Sequence, residues 1–227
     1  MQNNKIIDSL KGKLIVSCQA NSEEPLYSPE ALLAMARAAI EGGAAALRAN
    51  GPLPVRQMKH FFQVPVIGLY KQVYPGSDVY ITPTAKDVEA IVIAGADIIA
   101  VDATLRNRPN GEQIEDLVNL IHKYKLPAMA DISTYEEGLN AERLGFDTVG
   151  TTLSGYTPYS TQSEEPDFEL LSKLTTNLKI PVIMEGKIWE PEQLKQAFER
   201  NAFAVVIGSA ITRPHLITKK YADKLVK

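Results

Sequence analysis

A chain of 227 residues, 45% of them hydrophobic and 22% charged, has the length and composition of one globular domain and can bury a full core. Its formal net charge of −3 offers no bulk attraction for nucleic acid or an anionic membrane, so an anionic ligand needs a local site. The single cysteine, Cys18, excludes an internal disulfide and a cysteine-rich metal cage.

Eight apolar runs follow one another along the chain. The first, Leu14–Val16, leads into Gln19. Ala44–Leu47 then leads into Arg48, and Val66–Tyr70 into Lys71. Ile98–Val101 ends at Asp102 and Ala128–Ala130 at Asp131. Thr148–Gly150 runs into Thr151, Val182–Met184 into Glu185, and Val205–Ile207 into Gly208 and Ser209. Runs of this kind suit strands buried on both faces of a parallel sheet. The intervening segments carry helix signals. Ser28 precedes Pro29 at a helix start, and Gly42–Gly43 stops that helix. Thr84 caps a helix ending at Gly95. Thr134 and Glu137 form a capping box on one ending at Gly145, while Pro191 and Pro214 open two more. Eight such units predict a single (β/α)8 TIM barrel over residues 1–227, with its active site at the C-terminal ends of the strands.

No apolar stretch is long enough to cross a bilayer, and the first residues lack the apolar core of a secretion signal. A cytoplasmic protein is expected, without a membrane or nucleic-acid partner. Two connections on the expected catalytic face, Gln72–Pro83 and Thr151–Pro166, are long for such loops. Each reads equally well as a water-excluding lid or as a tolerated surface insertion.

The strand-end residues are the candidate site. Lys71 is expected at the barrel mouth, partly desolvated and facing cations such as Arg48 or Arg213, which favours the neutral amine. A neutral lysine can remove a carbon-bound proton or form a Schiff base. The alternative is a salt bridge to Glu185, Asp131 or Asp102, which would favour the charged form. Glu185 can give or take a proton, or pair with a cation. Asp131 suits substrate hydroxyls, with Asp102 ranked below it. His60, His122 and His215 fall in helical segments, so no metal site is expected. Gly186, Gly208, Ser209 and Arg213 lie in the last two strand-to-helix loops, where barrels of this kind often seat a phosphate. Arg48 suits a phosphate, carboxylate or sugar oxygen, or else structural pairing with a neighbouring acid; Gln19 suits a hydroxyl or amide, Cys18 suits core packing, and Trp189 suits packing near the seventh helix.

Read together, Leu14–Ala20, Leu47–Asn50, Pro65–Lys71, Asp102–Thr104, Met129–Ile132, Gly150–Thr157, Glu185–Gly186 and Gly208–Pro214 resemble the N-acetylmannosamine-6-phosphate 2-epimerase family. The resemblance covers nearly the whole chain. It implies a barrel that works without metal or organic cofactor. It also implies an isomerase interconverting the 6-phosphates of N-acetylmannosamine and N-acetylglucosamine at C2, in sialic acid and amino-sugar catabolism. The family's catalytic lysine falls on Lys71 and its glutamate on Glu185. Its sugar- and phosphate-contacting positions fall on Gln19, Arg48, Asp131, Gly186, Gly208 and Arg213, while Ser209 departs from the family pattern at a place where relatives can carry glycine, and is expected either to add a hydroxyl donor to the phosphate site or to crowd it slightly. The expected partner is therefore a phosphorylated amino sugar, and a homodimer is left open. An aldolase-type lyase using Lys71 as a Schiff base and a non-catalytic sugar-phosphate sensor are the competing readings.

Overall fold

Eight parallel strands close into a ring in chain order, each paired with the next and the eighth with the first. The computed structural model describes residues 2–225. The strands are β1 (Leu14–Cys18), β2 (Ala46–Asn50), β3 (Val66–Leu69), β4 (Ile98–Asp102), β5 (Ala128–Asp131), β6 (Thr148–Gly150), β7 (Val182–Glu185) and β8 (Ala204–Ile207). Helix α1 (Gln2–Ser9) precedes them. The helices between strands are α2 (Pro29–Glu41), α3 (Pro52–Phe61), α4 (Ala85–Ala94), α5 (Ile114–Lys123), α6 (Tyr135–Arg143), α7 (Phe168–Asn177) and α8 (Pro191–Glu199). After β8 come the short α9 (Ser209–Thr212) and α10 (Pro214–Ala222). The fold is the (β/α)8 TIM barrel that the eight apolar runs predict.

The helix starts are fixed locally. The Ser28 hydroxyl accepts from the Ala31 N–H at 3.1 Å, and Thr84 with Asp87, like Thr134 with Glu137, closes a reciprocal capping box. At the far end of α4, Gly95 adopts φ +91°, a left-handed cap open to glycine at little cost.

Side-chain parity decides what reaches the site. Along a strand, alternate residues face the barrel axis. The inward set forms its own apolar cluster, which includes Ile15, Ala46, Ile67, Leu69, Ile98, Ala100, Met129, Ile183, Ala204 and Val206. Ile7 and Leu10, within and just after α1, join the same cluster and close the N-terminal end of the barrel. The opposite parity packs against the helices in a second, larger cluster. Continuing the inward parity toward the C-terminal end brings up Ser17, Arg48, Lys71, Asp102, Asp131, Thr152 and Glu185.

One expected boundary is corrected. Ala44–Leu47 is not the second strand, because Ala44 and Ala45 still belong to the turn leaving α2. The strand begins at Ala46, and Arg48 lies at its centre, opposite Ser17 on one side and Ile67 on the other. Arg48 therefore sits a layer deeper than a strand end would.

Candidate active site

Arg48 is 1% exposed and forms the floor of a cavity of about 810 Å³ at the C-terminal end of the barrel. One guanidinium nitrogen reaches Asp131 on β5 at 2.5 Å, and the other pairs with Glu185 on β7. The Thr152 hydroxyl links the three, lying 2.6 Å from Asp131, 3.2 Å from Glu185 and 3.2 Å from Arg48. Burial alone would favour a neutral guanidinium, but the two carboxylates outweigh it and hold Arg48 more firmly protonated than a free arginine. Glu185 is also shifted toward its protonated form, which for a carboxyl is the neutral one. Burial raises its pKa above the usual carboxylate range and Asp131 adds to the rise, against the lowering by Arg48. Asp131 is fully buried beneath this network, with its carboxylate on Arg48 and Thr152 rather than on the cavity wall.

Lys71 follows β3 by two residues. It pairs with Ile81 in an antiparallel bridge, and its N–H donates to the Asn50 side chain at 2.8 Å. Its side chain lines the cavity, and among the described residues none of the ion pairs includes it. The salt bridge to Glu185, Asp131 or Asp102 is absent. Burial lowers its pKa first, Arg48 and Arg213 lower it further, and Glu185 and Asp131 only partly oppose them. The structure thus supplies both conditions for a neutral amine, desolvation and flanking cations.

Gln19, Gly186, Gly208, Ser209 and Arg213 line the same cavity. The Gln19 amide donates to the Ser17 hydroxyl at 2.9 Å, while its buried oxygen has no protein partner and is free to accept from a ligand hydroxyl. Gly186 turns the chain at φ +115°, beside the Thr151 and Thr152 carbonyls. Arg213 reaches the Ser209 hydroxyl at 3.0 Å and Glu24 at 3.1 Å. An anion seated here would meet Arg213 already oriented by Glu24 and Ser209.

Several strand-end residues are placed elsewhere. Asp102 is fully buried off the cavity, held by the Thr104 hydroxyl at 2.6 Å and Arg106 at 2.7 Å. Burial pushes the Cys18 thiol up to about 12, which suits the packing role expected of it. His122 bonds Asp147 at 2.9 Å on the outside of the barrel, and His60 stacks edge-on to Phe61. Among the described residues no cluster of three or more His, Cys, Asp or Glu could hold a metal ion.

The two long connections are tied down along much of their length. In the first, Thr82 bonds the Ala100 carbonyl at 2.6 Å and the Tyr70 N–H at 3.0 Å, and the Asp102 N–H reaches the Ile81 carbonyl at 2.9 Å. Tyr80 and Ile81 thereby become cavity wall. In the second, Thr157 bonds Ser133 at 3.0 Å, Tyr159 bonds Glu137 at 2.9 Å, and Lys187 lies 5.2 Å from the Tyr156 ring centre.

Sequence reasoning missed Thr152, Glu24 and Tyr80. Thr152 shares the inward parity of Thr148 and Gly150, so counting by two from the strand would have found it. Glu24 and Tyr80 come from loops, whose course no local periodicity records.

A protein-family model described as "Putative N-acetylmannosamine-6-phosphate epimerase" matches residues 32–227. A curated relative from Clostridium perfringens, named "Putative N-acetylmannosamine-6-phosphate 2-epimerase", is 54% identical over 97% of this chain and all of its own length. A relative of the same name from Caldanaerobacter subterraneus is 51% identical over 95% of this chain and 92% of its own. The solved structure of the N-acetylmannosamine-6-phosphate 2-epimerase from Clostridium perfringens superposes with a TM-score of 0.96 at 53% identity, covering 97% of this chain and 96% of that one. A thiamine phosphate pyrophosphorylase from Pyrococcus furiosus, 19% identical with a TM-score of 0.62, shares the fold alone.

Proposed function

The chain belongs to the N-acetylmannosamine-6-phosphate epimerase family, and we propose that Lys71 carries out its C2 chemistry while Arg48 and Glu185 attend the C1 oxygen. The enzyme interconverts N-acetylmannosamine 6-phosphate and N-acetylglucosamine 6-phosphate, a step of sialic acid and amino-sugar catabolism. Opening the sugar ring exposes a C1 carbonyl, which acidifies the neighbouring C2 hydrogen. The neutral amine of Lys71 takes that proton, leaving an enolate whose charge gathers on the C1 oxygen. Return of a proton to the opposite face of C2 completes inversion.

The observation that carries this assignment is a division of labour among the ionisable groups. Arg48 and Glu185 are committed to one another and to Thr152, whereas among the described residues the Lys71 amine forms no ion pair, feeling Glu185 and Asp131 only at longer range. A guanidinium fixed between two carboxylates is already oriented when enolate charge develops, so no reorganisation is needed in the transition state. A protonated Glu185, made more accessible by its raised pKa, can hydrogen-bond the same oxygen and assist ring opening. Lys71 is then the group that removes the proton from one face of C2 and returns it to the other after the enolate intermediate turns in the site.

Gln19 is assigned to a sugar hydroxyl, and Gly186, Gly208, Ser209 and Arg213 to the 6-phosphate. Asp131 is assigned to the substrate end of the site through Arg48, which it positions. A sugar phosphate substrate fits a cytoplasmic location, and among the described residues no helix is long and apolar enough to cross a membrane. Residues 1–227 are read as one barrel domain.

The test is a proton NMR time course with N-acetylmannosamine 6-phosphate in heavy water containing chelator. Loss of the C2 proton signal together with appearance of the second epimer is expected, and both should vanish in Lys71→Ala. In Glu185→Gln, exchange and inversion should fall in parallel. Exchange that persists without inversion would instead make Glu185 a second base.

A further inference from the structure

The backbone of Lys71 is held from two sides, and one of them depends on residues that the reaction leaves unused. On the β2 side its N–H donates to the Asn50 side chain at 2.8 Å. On the other side Tyr80–Thr82 runs antiparallel to Tyr70–Gln72. The Gln72 N–H donates to the Tyr80 carbonyl at 2.9 Å, the Thr82 N–H to the Tyr70 carbonyl at 2.8 Å, and Ile81 bridges to Lys71. A two-stranded ladder this short is not stable alone, so Tyr80–Thr82 must itself be held. The connection after β4 does this. Arg106 donates to the Asp78 carbonyl at 2.9 Å, to the Thr104 hydroxyl at 2.9 Å and to the Asp102 carboxylate at 2.7 Å. The Asp102 N–H donates to the Ile81 carbonyl at 2.9 Å, and Arg108 to the Pro83 carbonyl at 3.0 Å. The carbonyls of Asp78, Ile81 and Pro83 are thus all gripped from the same neighbour. Arg108 is 8% exposed, leaves one guanidinium nitrogen without a hydrogen-bond partner, and has its pKa brought down to about 10 by burial. A buried cation satisfied mainly by a carbonyl is a cost to folding, so its value lies in where it holds the chain.

We propose that Arg106 and Arg108 are positioning residues for Lys71: by gripping the backbone carbonyls on either side of Ile81, they fix the segment that fixes the base. This rests on the epimerase reading with Lys71 as the base and deepens it. Neither arginine lines the cavity, so neither meets the substrate, and both act through the backbone. The geometry suits a guanidinium. Its planar fork presents donors along fixed directions and holds a carboxylate, a hydroxyl and a carbonyl at once, whereas an ammonium on a flexible stem keeps the ion pair without the full reach. Proton transfer at C2 is sensitive to such placement, since a misplacement of ~1 Å costs ~10²-fold in rate.

Arg106→Lys keeps the charge beside Asp102, and so the fold, but gives up the hold on Asp78. Arg108→Met releases Pro83 without touching Asp102. Each should lower kcat for N-acetylmannosamine 6-phosphate by about tenfold, a partial misplacement of the base. KM should stay within about twofold, because the phosphate end of the cavity is untouched. The pH profile should keep its midpoint and lose height, since burial, Arg48, Glu185, Arg213 and Asp131 set the charge of Lys71. Amide hydrogen exchange over residues 70–82 should speed up by about fivefold, the size of one lost hydrogen bond. Wild-type kcat in either folded variant overturns the assignment of that arginine, as does unchanged exchange over the segment. A midpoint moved upward with the plateau recovered also overturns it, by making the arginine act through its charge. Wild-type turnover by Lys71→Ala would instead defeat the reading of Lys71 as the base, whereas the exchange measurement needs no turnover and decides the clamp in either case.

Discussion

At the scale of single residues, the site holds one group that the fold would be more stable without. Lys71 is largely buried and, among the described residues, forms no ion pair with an acid, so folding penalises its charged form. Its folded pKa lies below its unfolded value of ~10.4. Stability is therefore complete above the ordinary lysine range and is lost as pH falls through the lowered folded value. Lys71→Met should abolish turnover and yet raise the melting temperature at neutral pH by about 2–4 °C, corresponding to roughly 1 kcal/mol for a chain of this size. Calorimetry on the two proteins checks this, and the gap should shrink at high pH. A lower melting temperature for the variant would mean that the amine has a stabilising partner after all. The same shift sets the pH profile. kcat/KM should climb with pH as the neutral amine is populated and level off below ~10.4. Arg48 is the opposite case, since both its carboxylate partners become unpaired buried charges when it is removed. Arg48→Met should cost about 3–5 kcal/mol in denaturant unfolding at neutral pH, the usual penalty for breaking a buried pair.

At the scale of elements, the aim of Lys71 depends on how closely α4 packs on β3. Gly68 faces outward on β3, and a Cβ there would lie 2.5 Å from Ile91 and 2.7 Å from the Ala96 side chain. Gly68→Ala should push α4 outward, costing about 1–3 kcal/mol. The shift should lower kcat more than KM, because it displaces the base three residues downstream while leaving the phosphate end of the cavity in place. Equal changes in kcat and KM would show that the whole mouth had moved. Element order and type could be read from the chain because each strand announces itself as an apolar run and each of several helices by a cap, as at Ser28, Thr84 and Thr134. The apolar run misplaces Arg48 for a simple reason. Alanine at 44 and 45 is as compatible with a turn as with a strand, so the apolar run overshot the strand's start and undershot its end. Thr152 lies beyond Thr151, where the apolar run ends, and only the two-residue alternation through Thr148 and Gly150 points to it. Tyr80 and Glu24 act from loops held by contacts far away in sequence, such as Asp102 to Ile81 and Arg213 to Glu24, which no window of neighbouring residues contains.

At the scale of the whole molecule, the barrel separates grip from chemistry across its diameter. The residues assigned to the phosphate follow β7 and β8, while the proposed base follows β3. Such separation lets binding energy from a group that does not react hold C2 against Lys71 and Arg48. If so, the phosphate contributes to kcat as well as to KM, and its effect runs through Arg213. Arg213→Ala should lower kcat/KM for N-acetylmannosamine 6-phosphate by about 10–100-fold, the size expected for charge-assisted hydrogen bonds. The same variant should slow any turnover of unphosphorylated N-acetylmannosamine much less, since that sugar makes no use of the missing contact and loses only the help Arg213 gives in keeping Lys71 neutral. Proton NMR measures both rates in one assay. A comparable loss for both sugars would place Arg213 in the chemical step, acting on Lys71 through its charge, because Arg213 also helps to lower the pKa of that amine. The two outcomes differ again in the pH profile. Loss of grip alone leaves its midpoint where it was, whereas loss of a cation facing Lys71 moves the midpoint upward.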